Sequence, residues 1–244
     1  MSPLRWEALC PGGLRFVYGN GQFPPGLDSF LLSALPRLKP GLRVCDLGCG
    51  MGLLGLLLLQ RQRELTVTGL DIQPEAIRMA ELAAEENGLT DRLDFRLGDL
   101  REPGILPAGA FDLVVCNPPY FPPGSGALPL DPARRTARME ESCTLEDVCR
   151  ASARLLRWGG ALCLVHKPER LTDLLCLLRA AGLEPKRLRL VFHRMEAAPS
   201  LVLLEARRGG GPGLRVEAPL VLKGPGGGPS PELDRIYFRE ENAE

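Results

Sequence analysis

Histidine is almost missing from this chain, with two in 244 residues, and the eight cysteines include no Cys-x-x-Cys pair. Together these scarcities remove the usual spacing of a zinc site, so no metal is expected. Net charge is missing as well: 30 basic side chains balance 30 acidic ones. A protein that coats nucleic acid by charge alone is thereby disfavoured. No basic-then-apolar leader is visible, and the apolar run Leu53–Leu59 is too short to span a bilayer. A reducing, cytoplasmic compartment with no membrane partner is expected, and a monomer. Cys45, Cys116 and Cys163 lie inside apolar runs and read as small buried hydrophobes.

The charge that is present is unevenly spread. Residues 1–132 carry 11 basic and 15 acidic side chains, residues 133–215 carry 16 and 9, and residues 216–244 carry 3 and 6. A polyanionic partner would prefer the middle segment. Apolar residues at 45% suit one sizeable core.

Strand and helix signals alternate along the chain. Leu42–Leu47, Thr66–Asp71, Leu93–Leu97, Phe111–Cys116 and Ala161–Val165 read as strands, and Leu188–Phe192 and Leu201–Glu205 as two more. Helices are expected over about Met51–Gln60, Pro74–Asn87, Leu145–Leu156 and Glu169–Ala181. That order implies βαβ units and a mostly parallel sheet in an α/β fold, and the last two strands suggest an antiparallel edge hairpin. Residues 1–40, with an extended piece at Leu14–Tyr18 and a helix over about Asp28–Leu38, read as a cover of the site. Residues 41–208 form the core. Residues 209–244 form a Gly/Pro-rich extension packed on it, with short pieces of structure near Leu214–Val216 and Pro219–Leu222. Pro118–Asp131 reads as a surface loop.

Asp46-Leu47-Gly48-Cys49-Gly50-Met51-Gly52 sits at the first strand-to-helix turn. Glycines there let the backbone approach a ligand at the carboxyl ends of parallel strands. Alone, Gly-x-Gly-x-Gly serves a dinucleotide, S-adenosylmethionine or a structural turn. Three acids sharpen it, because Asp46, Asp71 and Asp99 terminate three successive strands. Asp71 is placed to accept ribose hydroxyls, with Ile72 beside it, and Asp99, followed by Leu100, to accept an adenine amino group. Asp46 lies where the cationic methionine end of S-adenosylmethionine would sit, and an acid so close repels a pyrophosphate. The expected cofactor residues are therefore Asp46, Gly48, Cys49, Gly50, Asp71, Ile72, Asp99, Leu100 and Asn117.

Asn117-Pro118-Pro119-Tyr120 follows the fourth strand. The lone pair of an aromatic or amide NH₂ group is delocalised and poorly nucleophilic. The Asn117 side-chain oxygen and the Pro118 carbonyl can both accept hydrogen bonds from such a group and aim its nitrogen. Pro118 and Pro119 hold the backbone stiff, and Tyr120 offers a face to a planar group.

These residues together resemble class I methyltransferases of the amino-methylating kind. Over most of its length the chain is similar to the bacterial tRNA(Val) adenine-N6 methyltransferase family. The similarity rests on Gly21-Gln22-Phe23 ahead of Leu27-Asp28-Ser29-Phe30-Leu31-Leu32, on Ala137-Arg138-Met139-Glu140 before Leu145-Glu146-Asp147-Val148, and on Val165-His166-Lys167-Pro168-Glu169-Arg170-Leu171. It extends to Gly213–Val221 and Ile236-Tyr237. The chain departs from the family at Met139, where a histidine is usual, and at Gly228–Glu232, where the family shows Gly-x-Tyr-Thr-x-Glu. The resemblance implies a Rossmann-like, seven-stranded, mostly parallel sheet, S-adenosylmethionine as cofactor, and N6-methylation of an adenine beside the anticodon of a tRNA. The base would have to leave its stack. Arg134, Arg135 and Arg138 are the candidates for phosphate contact, and Tyr120, Phe121, Gln22 and Asp28 for lining the substrate site. His166 and His193 read as strand-end residues.

Other readings remain open at this point. Release-factor glutamine methyltransferases share Asn-Pro-Pro-Tyr but carry a helical N-terminal domain, for which about 40 residues are too few. Guanine-N2 rRNA methyltransferases usually end the motif in Phe. A nicotinamide-dependent oxidoreductase predicts a third glycine spaced for pyrophosphate. An inactive RNA-binding module would not need the intact glycines, acids and tetrapeptide.

Overall fold

The computed structural model describes residues 4–19, 26–118, 120, 143–224 and 226–239. At the N-terminus, strands β1 (Arg5–Ala8) and β2 (Arg15–Tyr18) form an antiparallel hairpin, followed by helix α1 (Leu27–Ser33). Strand β3 (Arg43–Leu47), helix α2 (Leu53–Arg61), strand β4 (Thr66–Asp71), helix α3 (Pro74–Glu86), β5 (Leu93–Leu97) and β6 (Phe111–Cys116) then alternate. Helix α4 (Leu145–Leu155), β7 (Leu156–His166), a 3₁₀ turn at Pro168–Arg170, α5 (Leu171–Ala180), β8 (Leu183–Phe192) and β9 (Leu201–Arg208) complete the alternation. The tail supplies β10 (Arg215–Val216), β11 (Leu220–Val221) and α6 (Pro231–Ile236).

The main sheet runs β10-β8-β9-β7-β6-β3-β4-β5, with β11 also on β8. Strands β3 to β7 pair in parallel, and β9 lies antiparallel between β7 and β8. All seven expected strands are present. Among the described residues the sheet nevertheless has nine, because β10 and β11 add in parallel to the outer edge of β8. The β8–β9 hairpin is therefore not the edge. A long strand left open would present a row of unpaired N–H and C=O groups. The tail covers that row and buries Leu220 and Leu222 as it does so.

Apolar side chains fill both faces of the sheet. One face packs on α1, α2 and α3, and the other on α4 and α5. Helix α2 is apolar on every side, and Leu56 to Leu59 are fully buried between the sheet and α1. At roughly 1.5–3 kcal/mol for each large apolar side chain buried, this helix is a large share of the core. Helix α3 starts with Pro74 at its first turn and ends in a Schellman motif, with Gly88 N–H on Glu85 O and Leu89 N–H on Ala84 O. Thr144 and Asp147 form a reciprocal capping box at the start of α4.

Several boundaries and elements differ from the sequence expectation, β8 among them, which begins at Leu183 rather than Leu188. Helix α1 stops at Ser33 rather than near Leu38, since Pro36 removes Leu35 from the helical region. Strand β7 begins at Leu156, with α4 passing into it directly, so Gly159 and Gly160 lie within the strand. Hairpin strand β1 and helix α6 had no counterpart in the sequence reading, although Ser230 followed by Pro231 is an N-cap with proline in the first turn.

Candidate active site

The carboxyl edges of β3, β4, β5 and β6 converge on one pocket. Seven of the nine expected cofactor residues line it: Gly48, Gly50, Asp71, Ile72, Asp99, Leu100 and Asn117. Pro118 lines it too. Asp46 and Cys49 do not. Cys49 turns its side chain into the core against Gly69 and donates its backbone N–H to Leu70 O at 3.1 Å. Its place in the turn was legible, but the direction of its side chain was not.

The glycine turn is held from both sides. Gly48 N–H donates to Leu70 O at 2.8 Å, and Gly50 N–H to Asp71 Oδ2 at 2.8 Å. Gly50 has φ +52°, the left-handed region that favours glycine. Asp71 Oδ1 accepts from Gln73 N–H at 2.9 Å. Asp71 thus braces the glycine turn through Oδ2 and the start of the next segment through Oδ1 while facing the pocket, and each oxygen keeps a second lone pair for a ligand hydroxyl. Ile72 follows it with half its surface exposed, a flat apolar wall beside the braced carboxylate.

Asp99 is less free than expected. Arg101 grips both its oxygens, and its Oδ1 also accepts from Arg101 N–H at 2.9 Å. The guanidinium holds the Asp99 carboxyl below the usual range. An adenine amino group would share an acceptor already occupied by a cation.

Asp46 lies beneath the turn and is 2% exposed. Its Oδ2 has no hydrogen-bond partner among the described residues. Burial, and then the charge of Asp71, push its carboxyl up to about 7. A buried acid with an unused lone pair is matched by a cation brought close to it.

At the end of β6 the chain brings together residues far apart in sequence. Tyr120 hydroxyl lies 2.5 Å from Asp28 Oδ2 and 2.9 Å from Asn117 Oδ1, and Asn117 Nδ2 lies 3.3 Å from Ser29 Oγ. A phenol has a single proton. It goes to the charged acceptor, Asp28, because hydrogen bonds to ionised groups are about twice as strong as neutral ones. Asn117 Oδ1 is the second, weaker acceptor on the same hydroxyl, and the Asn117 NH₂ donates to Ser29 Oγ. Asn117 Oδ1 keeps one lone pair for an incoming N–H. Burial, and then the Asp28 charge, raise the Tyr120 phenol far above its ordinary value, so it stays protonated.

Behind Tyr120 stands His166, edge-on at 5.3 Å between ring centroids. It is fully buried, and neither ring nitrogen has a partner among the described residues. Burial lowers its pKa to about 4, so it is neutral near pH 7. Lys167 places its ammonium 5.2 Å from the centre of the Tyr120 ring. The sequence reading missed Ser29, Gln73 and Lys167 as site residues and set His166 aside. The run Val165–Leu171 was the signal that pointed there.

The expected site residues Gln22, Pro119, Phe121, Arg134, Arg135 and Arg138 lie outside the described residues. Among the described residues no group of three or more His, Cys, Asp and Glu is placed to hold a metal ion, and no helix is long and apolar enough to cross a membrane.

The methyltransferase small domain family matches residues 15–175. The chain belongs to that family. Its curated relatives include the tRNA1(Val) (adenine(37)-N6)-methyltransferase of Tolumonas auensis, 31% identical over 88% of this chain and 90% of the relative. The protein of the same name from Yersinia enterocolitica is 32% identical over 57% of this chain, and the match spans about half of that relative, 55%. Among solved structures, a predicted O-methyltransferase from Agrobacterium tumefaciens has a TM-score of 0.71 at 22% identity, over 89% of this chain and 99% of that one. At that identity the likeness concerns the fold alone.

Proposed function

We propose that this methyltransferase moves a methyl group from S-adenosylmethionine to N6 of an adenine in tRNA, at the nucleotide beside the anticodon of a valine tRNA. The observation that carries the reading is the position of Asn117 and Pro118, which line the far end of the pocket whose floor is the Gly48–Gly50 turn. The names of the relatives from Tolumonas and Yersinia support the adenine and the tRNA. A reaction on tRNA puts the protein in the cytoplasm with its substrate.

The pocket fits the cofactor by its donor set. Asp71 suits the ribose, beside the apolar wall of Ile72 and Leu100, and Asp46, buried behind the lining with an unpartnered oxygen, suits a cation brought against the turn. When bound, the cofactor supplies an electrophilic methyl group on sulfur. The chain supplies placement. Asn117 Oδ1 and the Pro118 carbonyl accept the two N–H bonds of the adenine amine, which favours a pyramidal nitrogen with its lone pair directed along the transfer line. Alignment within about 3–3.5 Å of the reacting carbon is the main requirement. Tyr120 holds its ring fixed through Asp28 and presents it to the base. Neutral His166 puts no positive charge behind that ring.

Incubation with labelled S-adenosylmethionine and separate pools of tRNA, rRNA and release factor tests the proposal. Label recovered as N6-methyladenosine from tRNA is expected. Label in a release-factor glutamine, or in N2-methylguanosine of rRNA, sinks it.

A further inference from the structure

The edge of the sheet continues past the proposed methyl-transfer site. Beyond β6, whose last residue Cys116 precedes Asn117, the neighbours are β7, β9, β8 and β11. Their registers put His166, Leu201, Phe192 and Val221 at the same end as Asn117. Basic residues sit just past three of these strand ends. Lys167 follows β7, Arg194 follows β8, and Lys223 follows β11. They are tied together by backbone: Lys167 Nζ donates to Ser200 O at 3.5 Å, Ser200 N–H to Val191 O at 2.8 Å, and Lys223 N–H to His193 O at 3.1 Å. Four strand spacings of about 4.8 Å separate Asn117 from Lys223, on the order of 19 Å.

Arg194 and Lys223 are exposed, and among the described residues neither has an ion-pair or hydrogen-bond partner for its cation. Met195 is 55% exposed between the same strand ends. The acids nearby are Glu196 in the 193–200 connection, Glu169, and Asp173, which pairs with Arg170. At the opposite end of the sheet, exposed Trp158 also has arginines near it. Those are engaged, Arg157 with Asp112, Arg179 with Glu184 and Arg207 with Glu205.

We infer that the row Lys167–Arg194–Lys223 is the path of the RNA sugar–phosphate backbone on one side of the target base. Charge complementarity, unpaired cations and continuity with Tyr120 through Lys167 support it. The inference rests on the tRNA reading above. Each cation on a single-stranded segment releases one counterion and contributes about 0.7 to the slope of log K against log salt.

The test uses the full chain and unmodified tRNA transcript. The double variant Arg194→Gln/Lys223→Gln is expected to flatten the salt slope by about 1.4 and to weaken tRNA binding about tenfold near 0.15 M salt. S-adenosylmethionine binding, thermal midpoint and turnover at saturating tRNA should match the unaltered protein. A double variant with unchanged tRNA affinity and slope overturns the path and leaves the tRNA reading standing. Failure of the unaltered protein to bind tRNA, with label entering a protein substrate instead, overturns both.

Discussion

Phe30 and Tyr237 stack ring on ring, 4.2 Å between centroids and 7° from parallel. One belongs to α1 and the other follows α6, so the two ends of the chain meet beside the site. Arg61 strengthens the joint, donating to Ser33 Oγ at 3.0 Å and to Ile236 O at 2.7 Å, with its guanidinium over the Phe238 ring. Asp28 and Ser29 precede Phe30 directly, so the tail holds the helix that holds Tyr120 and Asn117.

Tyr237→Ala should therefore cost about 1–3 kcal/mol of stability, since a half-buried stacked ring is lost. It should also lower turnover more than Leu178→Ala, a core deletion on the other face of the sheet. Equal turnover in two variants matched for stability would disconnect the tail from the site.

Asp28→Ala should lower turnover about 10- to 100-fold, the worth of one hydrogen bond to a charged group, with S-adenosylmethionine affinity unchanged. Asp28→Asn keeps an acceptor for the Tyr120 hydroxyl and should recover much of the loss. If both variants lose turnover equally, the acceptor role of Asp28 is wrong.

Asn117→Ala should abolish methyl transfer and leave cofactor binding largely intact, because its oxygen is the proposed acceptor for the target amine. Turnover retained in that variant removes Asn117 from the reaction.

The raised Asp46 carboxyl gives a pH signature. Its folded value is about 7, against about 3.9 for an unfolded aspartate. The stabilising difference is thus fully present below about pH 4 and is lost as pH rises through 7, on the order of 4 kcal/mol in all. Asp46→Asn should flatten that decline in the unliganded protein. A bound cation favours the ionised acid, so S-adenosylmethionine binding near pH 6.5 should release a proton, read by calorimetry in buffers of different ionisation enthalpy. Binding with no proton release would show that the cation does not meet Asp46.

Asn117-Pro118-Pro119-Tyr120 and the Gly48-x-Gly50-x-Gly52 turn were legible in sequence because their determinants are local. Short continuous apolar runs bounded by turn residues make buried strands, glycine takes φ values closed to other residues, and proline fixes its own. Parallel order puts every such turn on one edge of the sheet, so seven residues that line the pocket could be placed there from sequence. Packing decided the rest. Nothing local told that Cys49 faces the core or that β11 covers β8. The bond between Asp28 and Tyr120 joins residues 92 apart in the chain. Such contacts follow from which helix closes over which strand end, and that is fixed by burying α1 and α2 together, after the local elements exist.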